Sequence, residues 1–190
     1  YGDQLRGDVI TDDDGNIYVS SVTASADFPV VNSFATTYGG GESDAVLFKM
    51  DPELSQVLWG AFIGGSGTDA AHTLKFDKQN NIFVVGGTTS GNFPVAALAF
   101  QPSYAGGVDG WIAKVASDGS SILHCTYTGT SAYNQIYFLD LNTDEEVYVY
   151  GQTSGNFPVS AGVYSNPNSG QFIQKFTHTL NARLFSTVFG

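Results

Sequence analysis

The chain has 190 residues, 42% of them apolar and only 13% charged, which is ample for the core of one domain. Seven basic residues stand against 18 acidic ones, a formal net charge of −11. That leaves no basic footprint for nucleic acid and disfavours an anionic membrane surface. A single cysteine excludes an intramolecular disulfide, and no apolar run approaches the roughly 18 residues of a membrane-spanning helix.

Three copies of one pattern fill the chain. Phe-Pro occurs at Phe28-Pro29, Phe93-Pro94 and Phe157-Pro158, and Asn16 to Val19 returns as Asn81 to Val84 and Glu146 to Val149. Lys49, Lys114 and Lys175 each stand nine residues before a leucine, and each leucine stands six before a glycine (Gly64, Gly129, Gly190). The units are 1–63, 64–128 and 129–190. In the middle copy the predicted strands are Leu74 to Phe76, Ile82 to Gly86, Trp111 to Val115 and Ile122 to Tyr127. All are β-branched or aromatic and bounded by Gly, Asn, Asp and Ser. No sustained 3.6-residue apolar stripe occurs, so the chain is expected to be all-β. Four strands per unit read as three four-stranded antiparallel blades of a β-propeller, likened to a blade rather than a solenoid coil. The period of about 65 residues exceeds that of an ordinary blade, and the surplus lies between the second and third strands. Three blades are fewer than the about four to eight of a closed ring. The expectation is therefore a segment of a larger propeller, completed by further blades of the same parent chain or by a second copy.

In the first unit, Asp12-Asp13-Asp14-Gly15-Asn16 has the alternating oxygen donors with which a calcium loop begins, through Asp12, Asp14 and Asn16. The other reading is a hairpin turn, with Asp opening it and Gly-Asn supplying positive-φ positions. The aligned turns at 77–81 and 142–146 do not repeat the carboxylates, which favours the turn and no resident cofactor.

The long connection opens on a polar loop ending in Phe28, Phe93 or Phe157. These rings are expected to plug the base of the loop. Beyond each Phe-Pro the three segments differ, so any binding specificity belongs there. Tyr38, Tyr104 and Tyr164 are amphipathic rings suited to a glycan or a protein, or to lying down on a neighbouring unit.

Of the repeated Lys49, Lys114 and Lys175, Lys49 shares a strand face with Leu47 and Lys114 with Ile112, a face that reads as buried. A buried ammonium demands a carboxylate or carbonyls. Asp44 and Asp109 fall on the opposite face, so the partner is expected from the first turn of the adjacent unit. Cys125 shares a small-residue column with Gly60 and Ser186, and His72, His124 and His178 occupy three different positions; neither pattern suggests a nucleophile or a zinc site. No nucleophile elbow, phosphate loop or dinucleotide fingerprint is present.

Taken together, Gly64 to Ala71 (GGSGTDAA), the D-x-x-x-N turn, GxTxSxxFP, YAGGxDxWIAK and the closing TYxG resemble the SBBP β-propeller repeat. The third copy departs most: Gly170 stands where Asp44 and Asp109 do, and Asp144-Glu145-Glu146 replaces the usual turn ending. The resemblance implies a secreted or cell-surface bacterial protein, with adhesion, surface display or protein interaction as its work. Surface proteins, glycans or export machinery are the implied partners. The competing classes are a polysaccharide-active enzyme on a propeller frame and a calcium-dependent glycan-binding module. An enzyme should bring unrepeated polar residues together at one point.

Overall fold

The structure is a computed structural model, described here for residues 7–190. Its twelve strands form three four-stranded antiparallel sheets, each drawn in order from one stretch of chain. The first sheet holds β1 (Asp8–Thr11), β2 (Ile17–Thr23), β3 (Asp44–Met50) and β4 (Val57–Ile63). The second holds β5 (Asp69–Phe76), β6 (Ile82–Thr88), β7 (Asp109–Val115) and β8 (Ile122–Thr128). The third holds β9 (Asn134–Leu141), β10 (Val147–Thr153), β11 (Gln171–Phe176) and β12 (Arg183–Phe189). Among the described residues there is no helix, and the three sheets are not closed into a ring.

Successive sheets pack face to face in the same way. β5 lies against β1, β2 and β3, and β9 lies against β5, β6 and β7. Each junction encloses its own apolar cluster. Tyr18, Leu47 and Trp59 meet Leu74, Val84 and Ala113 in the first; Phe83, Val85 and Ile112 meet Ile136, Leu139 and Val149 in the second.

The tight turns follow from local chemistry. In the β1–β2, β5–β6 and β9–β10 turns, a side-chain oxygen of Asp12, Asp77 or Asn142 accepts the backbone N–H two and four residues on. The positive-φ position falls on Gly15, Asn80 and Glu145, at 82°, 61° and 61°. In the next hairpin of each sheet the left-handed residue is Leu54, Gly119 or Leu180, at 54°, 71° and 56°.

Two features were not read from the sequence. The edge strands β5 and β9 are longer than the predicted apolar core, starting at Asp69 and Asn134, and each carries a bulge, at His72-Thr73 and at Tyr137. A second bulge recurs at Lys49/Met50, Lys114/Val115 and Lys175/Phe176. The extra residue there is the repeated leucine (Leu58, Leu123, Leu184), and Leu123 and Leu184 face solvent instead of the core.

Candidate functional site

The lysine column is paired, but not as its spacing predicted. Lys49 Nζ lies 3.1 Å from Asp12, Lys114 Nζ 2.7 Å from Asp77, and Lys175 Nζ against Glu146. Each partner comes from the lysine's own sheet. Lys49, Lys114 and Lys175 stand opposite Tyr18, Phe83 and Tyr148 on the second strand, and the turn leading into that strand curls over the lysine. The neighbouring sheet contributes a different group: His178, from the β11–β12 turn, sets Nε2 2.9 Å from Lys114 Nζ and 3.3 Å from Asp77.

The third turn keeps the ion pair by exchanging roles. In the first two, the opening Asp meets the lysine and the closing Asn16 or Asn81 donates its amide to that Asp. In the third, the amide is the opening Asn142, donating at 2.7 Å to the closing Glu146, which meets Lys175. The carboxylate has moved four residues while the lysine has stayed.

This pairing bears on the calcium reading. Asp12 accepts from the backbone of Asp14 and Asn16, the Asn16 amide, the Tyr18 hydroxyl and Lys49. Burial pushes its carboxyl up, yet the bonds from Asn16 and Lys49 outweigh that and hold it at about 2. Asn16 turns its amide nitrogen toward Asp12, and Asp14 is exposed. The three residues belong to a turn closed on an ammonium. Asp77, Glu145 and His178 also converge, one ligand atom from each lying within 4.8 Å of the others. There too Lys114 already touches Asp77 and His178, so an ammonium occupies the cation's place.

Phe28, Phe93 and Phe157 have equivalent surroundings. Phe28 meets Phe62 at 6.0 Å, Phe93 meets Trp111 at 4.9 Å and Tyr127 at 6.1 Å, and Phe157 stacks on Phe172 at 4.2 Å. Phe62 and Tyr127 hold one repeat position, and Trp111 and Phe172 another. Cys125 is buried and its thiol is pushed up by burial, as a packing residue's would be.

The tyrosines are not one column. Tyr38 and Tyr104 each stand three residues before a left-handed glycine (Gly41, φ 68°; Gly107, φ 64°) and donate a hydroxyl to its carbonyl. Their rings lie on Phe62 and Tyr127. In the third connection the left-handed residue is Asn168 (φ 69°), so the matching position is Ser165. Tyr164 instead takes the place of Gln101: its carbonyl accepts from Thr187 as that of Gln101 accepts from the equivalent Thr126, and its side chain is 76% exposed. With a serine in the tyrosine's place, the third connection surrounds a cleft of about 660 Å³. Phe157, Val159 and Val188 give its lining apolar surface, and Ser154, Asn156, Ser165, Asn168 and Ser169 give it hydroxyls and amides; no charged side chain lines it.

Gly170 removes a charge from the same region. In the other sheets Asp44 and Asp109 are buried at the start of the third strand and accept backbone N–H bonds from Gly39 and Ala105. Burial raises both carboxyls to about 6. Each keeps one buried oxygen with no hydrogen-bond partner, aimed at Gly64 or Gly129.

A second polar group lies on the edge strands β5 and β9. The bulges place His72 beside Tyr137, ring centroids 5.2 Å apart. Gln135 Nε2 is 2.6 Å from His72 Nε2, while the Tyr133 hydroxyl reaches Gln135 at 2.6 Å and Tyr137 at 2.7 Å. Sequence alignment made His72 look unremarkable because it shares a column with Gly7 and Tyr137. The signal it carried was a polar residue inside a strand that lacks clean alternation, which is how a bulge reads. Gln135 also borders a smaller cavity of about 230 Å³, with Glu42, Ser43 and Thr68 on its rim.

No family model matches the chain, and no curated protein matches it either.

Proposed function

We propose that the chain is a non-catalytic binding segment of a β-propeller of the SBBP repeat type, carried by an exported bacterial surface protein. The cleft in its third long connection is the binding site. The observation that carries this reading is Ser165, in the place of Tyr38 and Tyr104, lining a cleft of about 660 Å³ in the third long connection. Repeated polar groups elsewhere are spent on the fold: the lysines on their turns, Asp44 and Asp109 on their loops. A ring-bearing lining with uncharged hydroxyls and amides suits a neutral, hydroxyl-rich ligand, which points to a glycan. Binding requires no metal, because the carboxylate turns are neutralised by lysines.

Saturation-transfer NMR against a panel of neutral oligosaccharides tests this. Binding is expected with the parent chain and lost in Ser165→Tyr, which restores the ring that fills the other two loops, with an unchanged thermal melt. No transfer to any neutral sugar, or equal transfer with Ser165→Tyr, refutes it. EDTA should change neither the binding nor the melt.

A second reading, a polysaccharide-active enzyme, is favoured by the unrepeated group of His72, Gln135, Tyr133 and Tyr137. Chain cleavage of a polysaccharide that is abolished in His72→Ala would replace the first reading with this one.

A further inference from the structure

Leu54 and Leu180 hold the same place in the third-to-fourth-strand hairpin of their sheets and the same left-handed conformation, with φ 54° and 56°. Leu180 is fully buried against the second sheet, in a cluster with Phe83 and Ile112, and its carbonyl accepts the Phe100 N–H at 2.9 Å. Gly119, the same position in the middle unit, presses on Trp59 of the first sheet. Leu54 is 60% exposed. A left-handed leucine is uncommon, and an exposed one gains nothing from its side chain.

The rest of that surface matches. Val9 is 58% exposed and Val19 half-buried, whereas their counterparts Leu74 and Val84, and Leu139 and Val149, are buried against the preceding sheet. The outer face of the first sheet is thus the covering face of a unit with nothing described beneath it. At the other end the third sheet offers the receiving face. Tyr148, Tyr150 and Ile173 replace Phe83, Val85 and Ile112 and are only half-buried, while Phe138 is 54% and Tyr164 76% exposed. Two shallow apolar grooves meet at Ile173 on this face. The pair Lys175–Glu146 lies there too, corresponding to Lys114–Asp77, which His178 of the next sheet caps.

We propose that the open face of the third sheet receives the first sheet of a second copy of this chain, head to tail. Leu54 of one copy inserts beside Tyr148 and Ile173 of the other, into the groove that Val163 and Tyr164 border. The contact repeats a junction that the chain makes twice within itself, and the chain carries both complementary faces. Such a heterologous contact closes into a ring or extends as a chain of copies. The inference stands on sheet-to-sheet packing alone and is independent of the ligand of the cleft.

Sedimentation of the chain over a range of micromolar concentrations tests it. The parent is expected to self-associate. Leu54→Asn keeps a residue tolerant of left-handed backbone but removes the inserted side chain. Losing a buried leucine should weaken association by about tenfold or more. Tyr164→Glu should do the same from the other face. Mixing the two variants should restore a one-to-one pair, because each retains the face that the other lacks. A parent that stays monomeric throughout overturns the proposal, as do variants that associate like the parent or a mixture that does not pair. Matching thermal melts exclude misfolding as the cause.

Discussion

Lys114 Nζ lies 2.7 Å from Asp77 Oδ2, and the two side chains are only 6% and 0% exposed. Two charges so far from water are held by each other and by the bonds around them: Asn81 on the carboxylate and His178 on the ammonium. Burial raises the Asp77 carboxyl, but Lys114 and Asn81 outweigh it and bring it below its ordinary value. Lys114→Met leaves a buried carboxylate without its counter-charge and is expected to cost about 3–5 kcal/mol in chemical denaturation. Lys114→Met with Asp77→Asn should recover a large part of that loss. A single variant as stable as the parent would show the pair to be dispensable.

The exchanged turn makes a separate test. Glu146→Asn alone deprives Lys175 of its carboxylate and should lower Tm. Adding Asn142→Asp rebuilds the arrangement of the first two turns and should return Tm toward the parent's. Scanning calorimetry of the three proteins decides it, and a double variant no better than the single one rules out the role exchange.

Acid response should show two opposed windows. Asp12 sits at about 2, below its ordinary 3.8, so its contribution is present above pH 4 and lost as pH falls toward 2. Asp44 and Asp109 sit at about 6, so the folded chain holds their protons more tightly than the unfolded chain. Their effect runs the other way: stability is lost as pH rises from about 4 to 6 and then levels. Each pKa unit of difference corresponds to about 1.36 kcal/mol. Denaturation across pH 2–8 should therefore give a maximum between about pH 4 and 5. Asp44→Asn with Asp109→Asn should flatten the decline above it; an unchanged decline would assign it to other groups.

Gly86 lies beside the β5 bulge, and a Cβ there would stand 1.8 Å from the Ala70 carbonyl oxygen and 3.0 Å from the Trp111 ring. Gly86→Ala forces the two strands apart and is expected to cost about 3 kcal/mol or more. Gly91→Ala, whose Cβ would meet nothing nearer than 3.9 Å, should leave the melt close to the parent's. Equal melts for both variants would show that the bulge does not crowd Gly86.

The cores of the twelve strands and the three-fold repetition were legible in the residue order. Alternation and turn chemistry act over a few neighbouring positions, and a repeat makes each reading three times over. The partner of Lys114 was not legible, because face assignment by alternation says nothing of a turn that curls over the sheet from two strands away. Nor could spacing reveal His72 beside Tyr137, since a one-residue bulge shifts every face beyond it. The cleft at Ser165 needed the register of a connection whose length and composition vary between copies. Leu54 and Leu180 show where the division falls. Local sequence puts both in one kind of turn, but burial is a property of what lies across the gap, and only the stacking of sheets settles that one is covered and the other is not.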